Sequence, residues 1–321
     1  MRVPITLDLH LSNFTYPGVD AEAEFEKIVA IAESAEQSGF SSLSVMDHLH
    51  QIPPVGPPQN FMFDGNTILA GIAARTSKLT LGTLVGGVTY RNPALLAKIT
   101  TTLDVISGGR AWLGLGAAWF EAEHEAYGFD FPPLGRRFEY LEESLQIVRA
   151  MFTQQRATFD GEHFRVRDAY NNPKPIRGDI PIMVGGSGER KTLRMVAQYA
   201  DGCNLFAADA QRARHLLGVL EGHCERLGRD PAQITKTAMG NYLIAETKEA
   251  AEAKMRDLVA RGLLTAGRAE TLLAADPDTV GEHASSLKDA GIEGMTTSIP
   301  DAFDPESVAR YGQVLGGVFN G

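Results

Sequence analysis

Residues 111–121, Ala111-Trp112-Leu113-Gly114-Leu115-Gly116-Ala117-Ala118-Trp119-Phe120-Glu121, contain a short apolar strand that runs into a turn of small residues. A long amphipathic helix follows, with apolar side chains at helical spacing from Phe138 to Phe152. Seven other apolar segments repeat this order, and most end in small or polar residues. The chain is therefore predicted to be an α/β protein with a (β/α)8 TIM-barrel fold.

The eight strands are predicted near residues 3–9, 40–46, 79–85, 110–116, 181–184, 201–206, 234–243 and 294–299. Helix signals separate them. The helical stripe after the first strand stops at Gly39, a residue suited to a left-handed helix end. Asn92 can cap a helix whose first residue is Pro93. Strands that alternate with helices predict a parallel sheet.

Two segments depart from the simple repeat. Residues 155–167 alternate around Asp160-Gly161, a type I′ turn signal, which predicts an inserted β-hairpin. Charged helical sequence over 247–290 is too long for one barrel helix and predicts extra helices there. No linker of domain-boundary composition interrupts the chain, so residues 1–321 are predicted to form one domain.

Composition restricts the partners. The 321 residues carry a net charge of -10, and no stripe of Lys or Arg is present, so we expect no nucleic-acid surface. No apolar run has signal-peptide or membrane-spanning length, which predicts a cytoplasmic protein that does not insert into a membrane. Cys203 and Cys224 show no metal-ligand spacing. The expected partner is a small-molecule substrate, and the sequence leaves a monomer and a homodimer open.

Barrel enzymes place their chemistry on the loops after the strands. One such loop, Gly185-Gly186-Ser187-Gly188, lies between a strand that ends at Val184 and a helix predicted over 189–199. Its glycines would let the backbone approach an anion at the helix start, which describes a phosphate cradle. A tight turn without a ligand explains the same glycines equally well.

Other chemistries fit the sequence less well. Gly114-x-Gly116 lacks the third glycine of a dinucleotide fingerprint, and Glu189 stands where a nucleophile elbow needs glycine. His48-x-His50 resembles the metal-binding pair of amidohydrolases, but the fifth and sixth strands supply no histidine ligand. We therefore predict no metal site.

Six strings in barrel order resemble the bacterial luciferase-like flavin and deazaflavin oxidoreductases, over nearly the whole chain. Trp119-Phe120-Glu121 and Tyr127-Gly128-Phe129 look most like the actinobacterial branch that depends on coenzyme F420, a deazaflavin. The six strings are Asp47-His48, Leu81-Gly82-Thr83-Leu84-Val85, Arg91-Asn92-Pro93, Ser107-Gly108-Gly109-Arg110, Leu113-Gly114-Leu115-Gly116 and Pro181-Ile182-Met183-Val184-Gly185-Gly186.

The resemblance implies a flavin-shaped ring across the barrel mouth, with its phosphate at the loop after the fifth strand. It also implies a non-proline cis peptide at Leu84–Val85 behind the ring, and it assigns ring-edge and catalytic positions to Asp47 and His48. A histidine at a strand end is, taken alone, more often structural. The cofactor-binding residues so expected are Leu84, Val85, Gly116, Ala117, Val184, Gly185, Gly186 and Ser187.

The substrate side departs from the sugar-phosphate dehydrogenases of this family, because Trp119 stands where they place an acidic residue. Trp119, Phe120 and His10 are expected to contact the substrate, and Phe61, Phe63 and Tyr90 could extend an apolar wall. The predicted activity is hydride transfer between F420 and a small organic substrate. The alternatives are a monooxygenase that uses flavin mononucleotide (FMN), and a non-catalytic cofactor-binding relative, against which His48 argues.

Overall fold

The computed structural model describes residues 2–320 as a parallel β-barrel surrounded by helices. The strand order is β3-β2-β1-β13-β10-β9-β8-β5-β4, and a parallel bridge from Leu81 to Ala111 joins β3 to the strand beside it. Because only Leu84 and Val85 separate β3 from β4, the two occupy one strand position, and eight strand positions form the barrel. The predicted TIM-barrel fold is confirmed.

The strands are β1 Leu7–Leu11, β2 Ser42–Val45, β3 Thr80–Thr83, β4 Gly86–Gly87, β5 Leu113–Gly116, β6 Ala157–Asp160, β7 Arg165–Ala169, β8 Ile182–Gly185, β9 Gly202–Leu205, β10 Thr235–Gly240, β11 Tyr242–Ile244, β12 Leu273–Ala275 and β13 Gly294–Thr297. The helices are α1 Glu24–Gln37, α2 Gly65–Arg75, α3 Pro93–Ile106, α4 Glu121–Tyr127, α5 Leu134–Thr153, α6 Thr192–Tyr199, α7 Ala210–Leu227, α8 Lys248–Ala260, α9 Ala266–Ala269, α10 Pro277–Asp289 and α11 Pro305–Phe319. Within residues 2–320, none of these helices combines the length and apolarity that crossing a bilayer requires.

The helix-boundary signals worked as predicted. Asn92 caps α3 by accepting hydrogen bonds from the Ala94 and Leu95 amides at 2.9 and 3.3 Å, with Pro93 in the first turn. Gly39 takes a left-handed φ of 86° just after α1. Both features follow from local backbone chemistry, which a sequence displays directly.

The inserted hairpin is confirmed, but its turn is not the predicted one. The strands β6 and β7 pair antiparallel with Asp160 opposite Arg165, so four residues, 161–164, connect them. A type I′ turn needs positive φ at two central residues, and Gly161 does not have it. The loop is instead held by Glu143 of α5, whose carboxylate accepts hydrogen bonds from the Glu162 and Phe164 amides at 2.7 and 2.8 Å.

Extra helices fill 247–290 as expected. The same segment also contains a strand, β12, that the sequence analysis did not predict. The predicted strand over 234–243 is divided at Asn241 into β10, inside the barrel, and β11, which pairs with β12 of the insertion. The helix α9 and the loops around it thereby lie over the barrel mouth.

An apolar cluster fills the lower end of the barrel. The first strand begins at Leu7 rather than at residue 3, and Val3 and Ile5 instead pack with Trp112 and Met183. A Cβ at Gly82 would stand 2.4 Å from the Trp112 ring, so glycine is needed for this indole to lie inside the barrel. The indole Nε1–H donates to Ser42 Oγ at 3.2 Å.

A polar layer lies between this cluster and the barrel mouth. Asp8 is fully buried, and its Oδ2 accepts a hydrogen bond from Ser44 Oγ at 2.6 Å. Burial raises the pKa of Asp8 to about 6, against the opposing effect of the hydrogen bond from Ser44. The ionised carboxylate is therefore a destabilising element of the barrel at neutral pH.

We expect Asp8→Asn to reduce the loss of stability that accompanies rising pH. Because the folded pKa of Asp8 is raised, its favourable contribution is fully present below about pH 4 and is lost as pH rises through 6. The unfolding free energy of the variant relative to the parent should therefore increase by roughly 2 to 3 kcal/mol between pH 4 and pH 7.5. Urea denaturation at the two pH values measures this difference. The exposed Asp130→Asn is the control, and a pH-independent difference for Asp8→Asn would contradict the assignment.

Candidate active site

A cavity of about 1140 Å³ lies at the barrel mouth, where the ends of the parallel strands meet. Its size suits a ring-containing ligand together with a small molecule. Most of the residues proposed from the sequence line it, namely His10, Asp47, His48, Leu84, Val85, Gly116, Ala117, Trp119, Gly185 and Gly186.

The floor of the cavity is formed by Val85. The Leu84–Val85 peptide is cis, as the resemblance implied. A Cβ at Gly185 would stand 2.7 Å from Val85 Cγ1, and one at Gly116 would stand 2.8 Å from Val85 Cγ2. These two glycines therefore accommodate the Val85 side chain, and they also leave the cavity surface free of their own side chains.

The glycine-rich loop after β8 borders the cavity at the start of α6. Gly186 has a φ of 112°, and it lines the cavity together with Gly185 and Thr192. The helix begins at Thr192, three residues later than predicted, because residues 187–191 form a turn before it. Its start has no side-chain cap, and a bound anion would be held by the loop amides other than those of Gly186 and Leu193, which donate to Asn204 O at 3.3 Å and Gly188 O at 3.0 Å.

His48 is held by a buried carboxylate that the sequence analysis had not selected. His48 Nδ1 lies 2.9 Å from Glu123 Oε2, and Tyr90 Oη–H donates to the same oxygen. The Leu49 and His50 amides donate to Glu123 Oε1, the second at 3.1 Å. Burial alone would raise the pKa of Glu123, but the hydrogen bonds from His48, Tyr90 and Leu49 lower it to about 2.

An ionised Glu123 fixes the tautomer of His48. A carboxylate only accepts hydrogen bonds, so His48 Nδ1 must carry the hydrogen and Nε2 is left for the cavity. Glu123 thus orients the imidazole as a supporting carboxylate orients a catalytic base. This arrangement supports the assignment of His48 as a proton donor or acceptor.

Asp47 pairs with Arg91 and keeps one oxygen unpaired. Arg91 Nη1 donates to Asp47 Oδ2 at 2.6 Å, while the other guanidinium nitrogen bonds Asp64. Burial raises the pKa of Asp47 to about 6, although the charge of Arg91 opposes the shift. Asp47 Oδ1 is buried without a hydrogen-bond partner among residues 2–320. This oxygen lies on the side of Gly65, where an added Cβ would stand 3.3 Å from it.

His10 is a second oriented imidazole. Its Nδ1 lies 2.9 Å from Ser44 Oγ, whose single proton goes to Asp8, so His10 Nδ1–H donates to Ser44. Burial and the charge of Arg268 lower the pKa of His10 to about 3, which keeps the ring neutral at neutral pH. His10 therefore presents Nε2 as a hydrogen-bond acceptor to the cavity.

Residues 6–315 match the family model described as luciferase-like monooxygenase. The chain belongs to the luciferase-like family. This match covers nearly the whole barrel, including every residue proposed for the site.

Relatives of this luciferase-like chain include enzymes of two kinds. Pyrimidine monooxygenase RutA of Stutzerimonas stutzeri is 32% identical over 309 residues, which cover 92% of this chain and 78% of the relative. An F420-dependent glucose-6-phosphate dehydrogenase of Kineococcus radiotolerans is 32% identical over 217 residues, or 66% of this chain and 62% of the relative. A Mycobacterium tuberculosis protein is 34% identical over 186 residues, and the match spans 54% of this chain and 65% of that protein.

The fold of the luciferase-like chain is also that of EDTA monooxygenase from Chelativorans. The two structures superpose with a TM-score of 0.83 over 98% of this chain and 94% of the other, at 16% identity. Identity at this level supports the shared barrel alone. The shared fold does not determine the cofactor or the reaction, which depend on the residues of the site.

Three residues predicted for the luciferase-like site do not line the cavity. Val184 is fully buried and packs toward the helices, because strand alternation turns Met183 and Gly185 inward. Ser187 Oγ accepts a hydrogen bond from the Phe206 amide at 2.8 Å and lies outside the lining. Phe120 stacks behind Trp119, with ring centroids 5.1 Å apart.

The aromatic wall is smaller than the sequence suggested. Trp119 lines the cavity while 56% exposed, and its ring meets His48 edge-on at 5.6 Å. Ala118 precedes it with a left-handed φ of 59°, a turn that directs the indole to the mouth. Tyr90 also lines the cavity, whereas Phe61 does not, and Phe63 packs on Phe14 at 5.5 Å.

Three further residues of the site, Glu123, Arg268 and Thr192, were missed by sequence reasoning. Glu123 lies two residues into a helix of mostly acidic and small residues, where a solvated side chain is the default expectation. Arg268 lies in the insertion, far from any strand end in sequence. Thr192 also lines the cavity, and so does Asn204, which lies toward the end of the predicted sixth strand. Within residues 2–320, no three His, Cys, Asp or Glu side chains are arranged to hold a metal ion.

Proposed function

We propose that this luciferase-like chain is an F420-dependent oxidoreductase that transfers a hydride between the deazaflavin and a small organic substrate. The observation that carries the proposal is the arrangement of one cavity, with a glycine-rich loop at the start of α6 and an imidazole oriented by Glu123 at the end of β2. The F420-dependent relative and the Trp119-Phe120-Glu121 segment favour the deazaflavin.

The residues present fit such a cofactor. The cavity floor is apolar at Leu84 and Val85, which suits a flat ring. The Asp47 carboxyl group, which lines the cavity, would lie at a ring edge. The glycine loop would hold the phosphate through backbone amides. When bound, F420 supplies a carbon centre that donates or accepts a hydride.

The protein residues would manage the proton that accompanies hydride transfer. His48 Nε2 faces the cavity and is oriented by an ionised Glu123, so the imidazole can give a proton to a substrate oxygen or take one from it. Trp119 and the Val85 floor would limit water around the reacting atoms. Asp47 and the glycine loop would bind and orient the cofactor.

A second candidate function is an FMN-dependent monooxygenase. The 32% identity to pyrimidine monooxygenase RutA over 92% of this chain favours it. Both cofactors carry a phosphate and a flat ring, so the cavity accommodates either. They differ in the tail, because F420 extends into anionic glutamates.

We expect the cofactor-free chain to bind F420 at least tenfold more tightly than FMN, with affinity for F420 falling as salt rises. The cationic groups beside the cradle provide the reason. Arg190 is exposed, and Lys191 Nζ lies 5.3 Å from the centroid of the Phe138 ring that lines the cavity. Arg194 is already paired with Glu142 at 3.2 Å and should contribute less.

Fluorescence titration with each cofactor at two salt concentrations measures both effects. Lys191→Gln should weaken the salt dependence, and Arg214→Gln on α7 provides the control. A tenfold preference for FMN, together with oxygen consumption on reduction, would replace the proposal by the monooxygenase.

A further inference from the structure

The cavity contains one cationic side chain without an anionic partner. Arg268 of α9 is the one Lys or Arg among the described residues that line it. Its guanidinium donates from Nη2 to Ser298 O at 3.3 Å, and within residues 2–320 it forms no ion pair with Asp or Glu. The acidic and imidazole groups on the opposite side of the lining have partners of their own, because Asp47 pairs with Arg91 and His48 is hydrogen-bonded to Glu123.

The neighbours of Arg268 do not neutralise its charge. His10 is kept neutral by burial and by the charge of Arg268 itself. Ser298 Oγ is bonded to Ser12 Oγ at 2.8 Å, and both serines line the cavity. A partly buried cation surrounded by neutral polar groups is stabilised when an anion enters beside it.

Arg268 lies away from the features assigned to the cofactor. Its contact, Ser298, follows β13, whereas the glycine cradle follows β8, three positions away in the barrel order β8-β9-β10-β13. The floor residue Val85 lies between β3 and β4, on the other side of β1 and β2. When the phosphate and the ring of the cofactor are bound as proposed, the remaining part of the cavity is where the substrate would lie. Arg268 therefore borders this remaining part.

We propose that Arg268 binds an anionic oxygen group, a carboxylate or its chemical equivalent, on the substrate. This inference rests on the proposed function for the location of the cofactor. A guanidinium can bind the two oxygens of a carboxylate through paired N–H groups. The substrate class is then a small organic anion with an apolar body, since the rest of the lining includes Trp119, Val85 and Met239.

Binding of benzoate and of benzamide tests the proposal. The two molecules share shape and an apolar ring and differ in charge. Isothermal titration of the full chain, before and after saturation with F420 or FMN, should show at least tenfold tighter binding of benzoate in both states. Arg268→Gln should remove this preference and leave benzamide affinity unchanged, and Arg268→Lys should retain part of it.

The matched control is Arg261→Gln, an exposed arginine of the same insertion that pairs with Asp257. It should behave as the parent. Equal affinity of the parent for benzoate and benzamide, or an equal loss of both in Arg268→Gln, would overturn the proposal. Displacement of benzoate by the cofactor would assign Arg268 to the cofactor tail instead. Failure of the proposed function would appear separately, in the cofactor titration, as a preference for FMN or as no binding of either cofactor.

Discussion

His48→Ala should lower turnover by about 10² to 10⁴ while changing cofactor affinity by no more than a few-fold. A positioned acid or base typically contributes a factor of this size to a rate. The imidazole is positioned by Glu123 through Nδ1, and it lines the cavity on a different strand from the glycine-rich loop. Turnover is measured with a competent substrate under saturating cofactor, and affinity is measured by titration.

His50→Ala is the matched control for this experiment. His50 is the neighbouring imidazole, packs on Phe120 at 5.4 Å and does not line the cavity. It should leave turnover nearly unchanged. If His48→Ala also keeps turnover within twofold of the parent, then His48 has a structural role and the chemistry lies elsewhere in the cavity.

Gly186→Val should weaken cofactor binding at least tenfold, a loss of about 1.4 kcal/mol. The reason is the backbone, because Gly186 has a φ of 112°, a conformation that β-branched side chains rarely adopt. A valine there would move the loop and its amides away from the anion. Titration of the folded variant with the cofactor measures the change.

A valine at a left-handed backbone position can reduce the stability of the protein wherever it lies. This effect must be separated from a loss of cofactor affinity at Gly186. Gly178 offers the comparison, since it is exposed, has a φ of 80° and lies outside the cavity lining. Gly178→Val should reduce stability without changing cofactor affinity. A Gly186→Val protein that binds as tightly as the parent would show that this loop does not hold the phosphate.

The fold could be predicted because its signals are local. Strand and helix periodicity, the Asn92 cap and Gly39 are each determined by residues close in sequence. The errors arose where distant residues decide the outcome. The turn after β6 is set by Glu143 on another helix, and β11 leaves the barrel because β12 pairs with it.

The residues of the site divide in the same way, into those that local sequence signals predict and those that depend on contacts with distant residues. Strand ends were predictable, and so Asp47, His48 and Gly186 were selected. Glu123 and Arg268 were missed because their roles depend on which buried groups they meet in space, and a charged residue on a helix gives no sequence signal of that. Val184 was selected through its strand, but the alternation of strand side chains turns it away from the cavity.

The hydrogen bonds of Glu123 join several elements at the cavity mouth. One ionised carboxylate joins the loop after β2, Tyr90 and α4. The helix α9 and its cap meet the rim through Thr265 Oγ1 to Pro54 O at 2.8 Å and Arg268 to Ser298 O at 3.3 Å. Pro54 belongs to the same loop after β2. This loop therefore connects the side of the mouth that holds His48 to the side that bears Arg268.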